Sequence, residues 1–157
     1  MTLSRMSADQ AGAAAALIRQ TIESLSYYNE RAKQEELAKY GARELEQLTA
    51  EDPDSVLLAT SDGELVGFCV SRYDDGLIWL SWFGVRSSHR RAGIGAKLLT
   101  ALAETLPRRR AHKVWCDTRT ANEASAQVLT RAGFQRLAEL RNHWYGQDFY
   151  LWEWLPR

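Results

Sequence analysis

Apolar positions along this chain fall into two rhythms, and the switches between them mark out the elements. Thr2–Met6 has the length of a short strand. Ser7 followed by Gln10 is a capping box, and Leu17, Ile18, Ile22 and Leu25 then repeat at helical spacing. Tyr27-Tyr28-Asn29 breaks that helix. A second, polar helix is expected from Glu30 to Leu48, with Leu37, Tyr40, Leu45 and Leu48 inward. Glu51-Asp-Pro-Asp54 is a turn cluster. Val56–Thr60 and Val66–Tyr73 read as strands joined by an Asp62-Gly63 hairpin turn. Asp74-Asp-Gly76 turns the chain into a third strand, Leu77–Val85.

The rhythm then becomes helical again. Ile94, Leu98, Leu102 and Leu106 share one face. Pro107–Lys113 is a basic turn, expected as a solvated loop. Val114–Asp117 is a short strand, parallel to Leu77–Val85 because a helix joins the two. Thr120 and Glu123 are the expected capping box of a helix over Asn122–Ala132. Phe134–Leu140 and Phe149–Trp154 close the chain as a hairpin with its tip at Tyr145–Asp148.

Chemistry concentrates between the third strand and the helix after it. Arg86-Ser-Ser-His-Arg-Arg-Ala-Gly-Ile-Gly95 is basic, carries two glycines and runs straight onto a helix N-terminus. A helix start has unpaired N–H groups and partial positive charge, glycine admits close backbone approach, and arginine adds forked donors. Together these hold phosphate. The loop is neither a P-loop nor a dinucleotide fingerprint. No Gly-x-x-x-x-Gly-Lys occurs, and the third glycine of Gly-x-Gly-x-x-Gly would fall on Leu98.

Arg90-Arg91-Ala92-Gly93-Ile94-Gly95 resembles the Arg/Gln-x-x-Gly-x-Gly/Ala loop of the GCN5-related N-acetyltransferases, the GNAT superfamily. Asn122 through Gly133-Phe134 is similar to the later Asn-to-Gly-Phe helix of the same family. The resemblance implies a mixed α/β (α+β), mostly antiparallel sheet of about seven strands, with helices on both faces. It also implies a central parallel pair splayed at the cofactor site. In that fold the loop amides hold the pyrophosphate of acetyl-CoA, and the pantetheine arm pairs between the splayed strands. The implied cofactor-binding residues are Phe83, Gly84, Val85, Arg90, Arg91, Ala92, Gly93, Ile94, Gly95, Ala96 and Asn122. A backbone N–H near Phe83–Val85 would serve the oxyanion.

The resemblance implies acetyl transfer from acetyl-CoA to a primary amine by direct attack in a ternary complex. The amine must be neutral. At pH 7 that costs roughly 1 kcal/mol for an α-amino group near about 7.8, and about 4.6 kcal/mol for a lysine near about 10.4. Leu77–Val85 offers no carboxylate as base. Asp117, at the end of the next strand, is the best-placed one, at the offset where some family members that acetylate protein N-termini carry a glutamate. The family's usual proton donor to the leaving thiolate is a tyrosine at the position of Leu129. Leucine has no proton to give, so Tyr145 in the closing hairpin is the first substitute. The alternative reading, kept open by that departure, is a non-catalytic module that binds acyl-CoA.

Composition narrows the rest. The chain has 157 residues, 45 % apolar and 10 % aromatic, which fits one globular domain over 1–157. Lys+Arg and Asp+Glu balance at 20 each, which argues against a nucleic-acid or membrane-surface partner. There is no signal-peptide pattern or membrane-length apolar run, so a cytoplasmic protein is expected. Cys69 and Cys116 are expected as buried free thiols, and His89, His112 and His143 are too scattered for a metal site. The six tryptophans are expected mostly in packing, some lining an acceptor groove. The acceptor itself, a small molecule, a protein or a peptide, is not specified, nor is the choice between monomer and homodimer.

Overall fold

In the computed structural model, which describes residues 1–157, the strands are β1 (Thr2–Arg5), β2 (Val56–Ser61), β3 (Glu64–Asp74), β4 (Leu77–Val85), β5 (Lys113–Arg119), β6 (Gln135–Leu140) and β7 (Phe149–Trp154). They form one sheet in the order β1-β2-β3-β4-β5-β7-β6. Every neighbouring pair is antiparallel except β4 with β5. The helices are α1 (Ala11–Glu23), α2 (Glu30–Leu37), α3 (Ala42–Glu51), α4 (Ile94–Glu104), α5 (Leu106–Arg109) and α6 (Glu123–Arg131). None is long and apolar enough to cross a membrane.

Period-two alternation in the strands feeds two cores. On one face α4 and α6 bury Leu98, Leu102 and Leu129 against Val66, Ile78, Val114 and Cys116. On the other, α1 and α3 bury Leu17, Ile18, Ile22 and Leu45 against Val56, Leu58, Phe68 and Val70. Both cysteines are buried and unpaired, and burial pushes the Cys69 thiol up to about 12.

Three local expectations are corrected. The single helix from Glu30 to Leu48 is two helices, because Gly41 takes an extended N-cap conformation (φ −71°, ψ 168°) and restarts the chain as α3. A mid-helix glycine is disfavoured by about 1 kcal/mol, and the break buries Tyr40. The Pro107–Lys113 turn is not merely solvated. Arg108 Nε lies 2.7 Å from Asp54 Oδ2, and Arg109 Nη2 lies 2.7 Å from Asp52 Oδ2. The third correction, at Thr120, belongs to the site.

Asp54 is the centre of the ion-pair cluster. Its side chain is only 5 % exposed, and Arg5 Nε meets it from the other side at 2.9 Å. The Arg108 hydrogen bonds, reinforced by Arg5, hold its carboxyl at about 2. A carboxylate depressed in the folded state stabilises above its unfolded value, and that stability is lost as pH falls through the folded value. The contribution is therefore full above pH ~4 and gone near pH 2, and is worth about 2 kcal/mol. Asp54→Asn should lower unfolding free energy by about that amount at pH 7 and converge with the parent near pH 2, read by urea denaturation.

Candidate active site

The seam between β4 and β5 positions everything else. These strands pair only at Leu77–Lys113, Ile78–Val114 and Trp79–Trp115. Immediately afterwards β4 carries a bulge. Val70 faces Trp82 and Ser71 faces Leu80, so Ser81 has no partner on β3. A bulge bends its strand and increases its twist, and beyond it β4 and β5 part. Arg86 N–H donates to Val66 on β3 at 2.7 Å. Alternation along the strand then turns the Phe83 and Val85 N–H groups the other way, into the gap. Those two are the donors expected for an oxyanion.

At the head of the gap the chain forms a cradle. Ser87–His89 is a 3₁₀ turn, Arg91 and Gly93 are both left-handed (φ 66° and 76°), and α4 begins at Ile94. The first loop-to-helix amide bond is Lys97 N–H to Gly93 C=O at 3.1 Å. The N–H groups of Arg91, Ala92, Gly93, Ile94, Gly95 and Ala96 donate to nothing in the protein. A Cβ on Gly93 would meet nothing within 4 Å, so its face is open. Gly95 instead lies against Val128 of α6, where a Cβ would come within 3.3 Å, so here glycine admits helix packing. Arg90 and Arg91 are exposed beside the cradle, while Arg86 is held by the Leu65 carbonyl and Glu64. Arg90 Nε donates to the Val85 carbonyl at 3.4 Å and leaves its terminal nitrogens outward, and a row of free amides, open space and two exposed guanidiniums fits a pyrophosphate.

The Thr120 cap is the third correction. Asn122, not Thr120, caps α6. Its Oδ1 accepts Ser125 N–H at 3.1 Å and its Nδ2 donates to Ser125 Oγ at 2.9 Å. Thr120 N–H instead donates to the Asp148 carbonyl at 3.3 Å. One Nδ2 hydrogen of Asn122 is left for a ligand. Leu129 is fully buried in the core under α6.

On the opposite face of the gap lies a polar pit. Asp117 is half-buried on β5, and Trp144 Nε1 donates to its Oδ2 at 2.6 Å. Burial, with help from the Glu36 charge, raises the Asp117 carboxyl above its ordinary value, against the opposing pull of Trp144 and His143. Glu36 on α2 was not singled out from the sequence, yet it joins three walls of the pit. Its Oε1 accepts Trp82 Nε1 from β4 at 3.2 Å, and its Oε2 accepts the Tyr145 hydroxyl at 3.2 Å and pairs with Lys39. Tyr145 therefore turns toward α2, and the structure does not bring its hydroxyl to Asp117. The β6–β7 loop is tied down further: Asn29 Nδ2 donates to the Tyr145 carbonyl and Gln147 Nε2 to the Tyr27 carbonyl, each at 3.2 Å.

Comparison with known proteins agrees with this architecture. A profile of the Acetyltransferase (GNAT) family matches residues 15–134. A search of curated proteins finds no match. Among solved structures, Ard1 from Thermoplasma volcanium is similar at 23 % identity, over 99 % of this chain and 97 % of that one, with a TM-score of 0.76. The PaiA N-acetyltransferase of Thermoplasma acidophilum, in complex with coenzyme A, is similar at 15 % identity over 99 % and 98 %, with a TM-score of 0.81. The ribosomal-protein-alanine N-acetyltransferase of Brucella melitensis gives 20 % over 99 % and 100 %, with a TM-score of 0.75. At these identities the likeness is one of fold.

Proposed function

This chain belongs to the acetyltransferase (GNAT) family, and on that footing we propose that it moves the acetyl group of acetyl-CoA onto a primary amine. The observation that carries the reading is the run of free N–H groups from Arg91 to Ala96 at the head of two parted strands. That run suits a pyrophosphate on the amides, with Arg90 and Arg91 adding charge and Asn122 one further donor. The parted edge of β4 suits an amide-bearing arm lying along it, with the Phe83 and Val85 N–H groups receiving the oxyanion.

Acceptor and donor meet from opposite faces of the gap. The pit lined by Tyr28, Glu36, Trp82, Asp117 and Trp144 receives the amine, and Asp117 takes its proton directly or through water. A carboxyl raised by burial is a stronger base than a solvated one, which suits that role. Tyr145, anchored to Glu36, serves as a wall of this groove rather than as the acid. The groove accepts a protein N-terminus, a lysine or a small amine in principle, and an amine panel chooses among them.

The test is release of free thiol from acetyl-CoA in the presence of primary amines, with coenzyme A binding measured by calorimetry. Binding together with acceleration by one class of amine is the expected result. Binding without acceleration by any amine would leave a non-catalytic acyl-CoA module, a reading favoured by leucine at position 129. Absence of binding would overturn both.

A further inference from the structure

Leu129 leaves the leaving thiolate without the donor that the family's helix supplies, and the chain has six tyrosines from which to replace it. Five are placed less well for that role. Tyr40 is buried in the core under α1 and α3. Tyr73 is exposed near the far end of β3. Tyr150 stacks under the Arg136 guanidinium, 4.3 Å from its ring, on the face of α4 and α6. Tyr145 gives its hydroxyl to Glu36. Tyr27 packs on the Tyr28 ring at 5.5 Å, and it is Tyr28 of the two that is in ring contact with Trp82 and Phe149.

Tyr28 is placed differently. Its ring lies 5.5 Å from Trp82, on the parted half of β4, and 6.2 Å from Phe149. Phe149 is paired with Arg119 at the end of β5, and the Arg119 guanidinium sits 5.9 Å from the Tyr28 ring. The side chain thus spans the opening between the two strands. Its hydroxyl bonds to no neighbouring group, although the charges of Asp117, Glu36 and Arg119 and the phenol of Tyr27 all act on it. A ring fixed on three sides with a free hydroxyl at the mouth of the gap is a positioned donor.

We propose that Tyr28 is the catalytic acid of the reaction, its hydroxyl protonating the coenzyme A sulfur as the carbon–sulfur bond breaks. The inference rests on the acetyltransferase reading above. The amine nitrogen adds to the thioester carbon, and the tetrahedral intermediate collapses with the bonding electron pair leaving on sulfur. Sulfur takes the Tyr28 proton. The nitrogen's surplus proton goes to Asp117 and returns through water to the Tyr28 oxygen, so the products are one amide and one thiol. Burial, with the Asp117 charge, raises the phenol far above its ordinary value and keeps it protonated at working pH. That makes the phenol a weaker acid, and a thiolate forming in the same desolvated pit is made more basic by the same cause, which offsets it.

Tyr28→Phe keeps the ring contacts and loses only the proton. The expected result is a kcat lower by about 100-fold or more, with both KM values and the thermal midpoint unchanged. Replacing Tyr28 by 3-fluorotyrosine, a more acidic phenol of nearly the same size, should change kcat while leaving both KM values alone, a split that a mere packing role cannot produce. A raised acceptor KM at parental kcat would make Tyr28 a groove wall and overturn the assignment. So would parental constants in Tyr28→Phe, and in both cases parental turnover leaves the acetyltransferase reading intact. No turnover in the parent would remove both together.

Discussion

Gly93→Asp should abolish acetyl-CoA binding without unfolding the chain. Gly93 has φ 76° and ψ 8°, and a Cβ there would meet nothing within 4 Å. Aspartate is among the residues that tolerate left-handed backbone, at a cost of roughly 1–2 kcal/mol. The fold should survive, because no packed atom is displaced. The cradle should not. A carboxylate within about 4 Å of a phosphate repels it by about 4 kcal/mol per charge pair at an effective dielectric of 20. Each 1.4 kcal/mol is tenfold in affinity, so the loss should exceed about 100-fold. Calorimetry with coenzyme A, beside a thermal melt, reads both halves. Parental affinity in a folded variant would remove the phosphate assignment.

Asp117→Asn should be the most damaging change on the acceptor side. Asparagine keeps an oxygen to accept the Trp144 N–H, so the loop contact at 2.6 Å in the parent has a substitute. It cannot take a proton. Loss of a general base typically costs 100-fold to 10,000-fold in rate. The size depends on the acceptor, since a lysine-like amine needs about 4.6 kcal/mol for deprotonation at pH 7 and an α-amine only about 1. The pH dependence has a definite sign. The base works only when ionised, so the parental rate falls as pH drops through the Asp117 value, which burial raises above the ordinary carboxylate range. That limb should vanish in the variant. Identical pH–rate profiles would take Asp117 out of the mechanism, and acetyl-CoA affinity should be unaffected throughout.

The two halves of the site differ in how far they could be read from residues alone. The cradle was legible because its ingredients are contiguous: arginines, glycines and the amphipathic start of α4 follow one another from Arg90 to Leu98. The strands were legible for the same reason, since alternation and the Asp62-Gly63 turn are local signals. The pit is assembled at a distance. Glu36 and Tyr145 are 109 residues apart, and Trp144 and Asp117 are 27 apart. Nothing in the polar stretch Glu30–Leu37 distinguishes Glu36 from Glu35, which pairs with Arg31 at 2.9 Å in solvent. Tyr28 carried no signal beyond interrupting a helix. The Asn122 cap shows the limit at short range as well. Thr120 and Asn122 are both good capping residues, and only the course of the backbone, which spends the Thr120 N–H on Asp148, decides between them.

The narrow seam at Leu77–Trp79 makes the sheet a bivalve: one valve is β1 to β4, the other is β5 to β7, and a hinge of three rungs joins them. The valves are braced from behind, because one core crosses the seam: Leu98, Leu102 and Leu129 of α4 and α6 pack against Val66 and Ile78 of the first and Val114 and Cys116 of the second. A cosubstrate lying in the opening would complete the missing rungs and become part of the protein's own fabric. Its departure as free thiol would then leave those rungs empty again, while the core shared behind them stays closed.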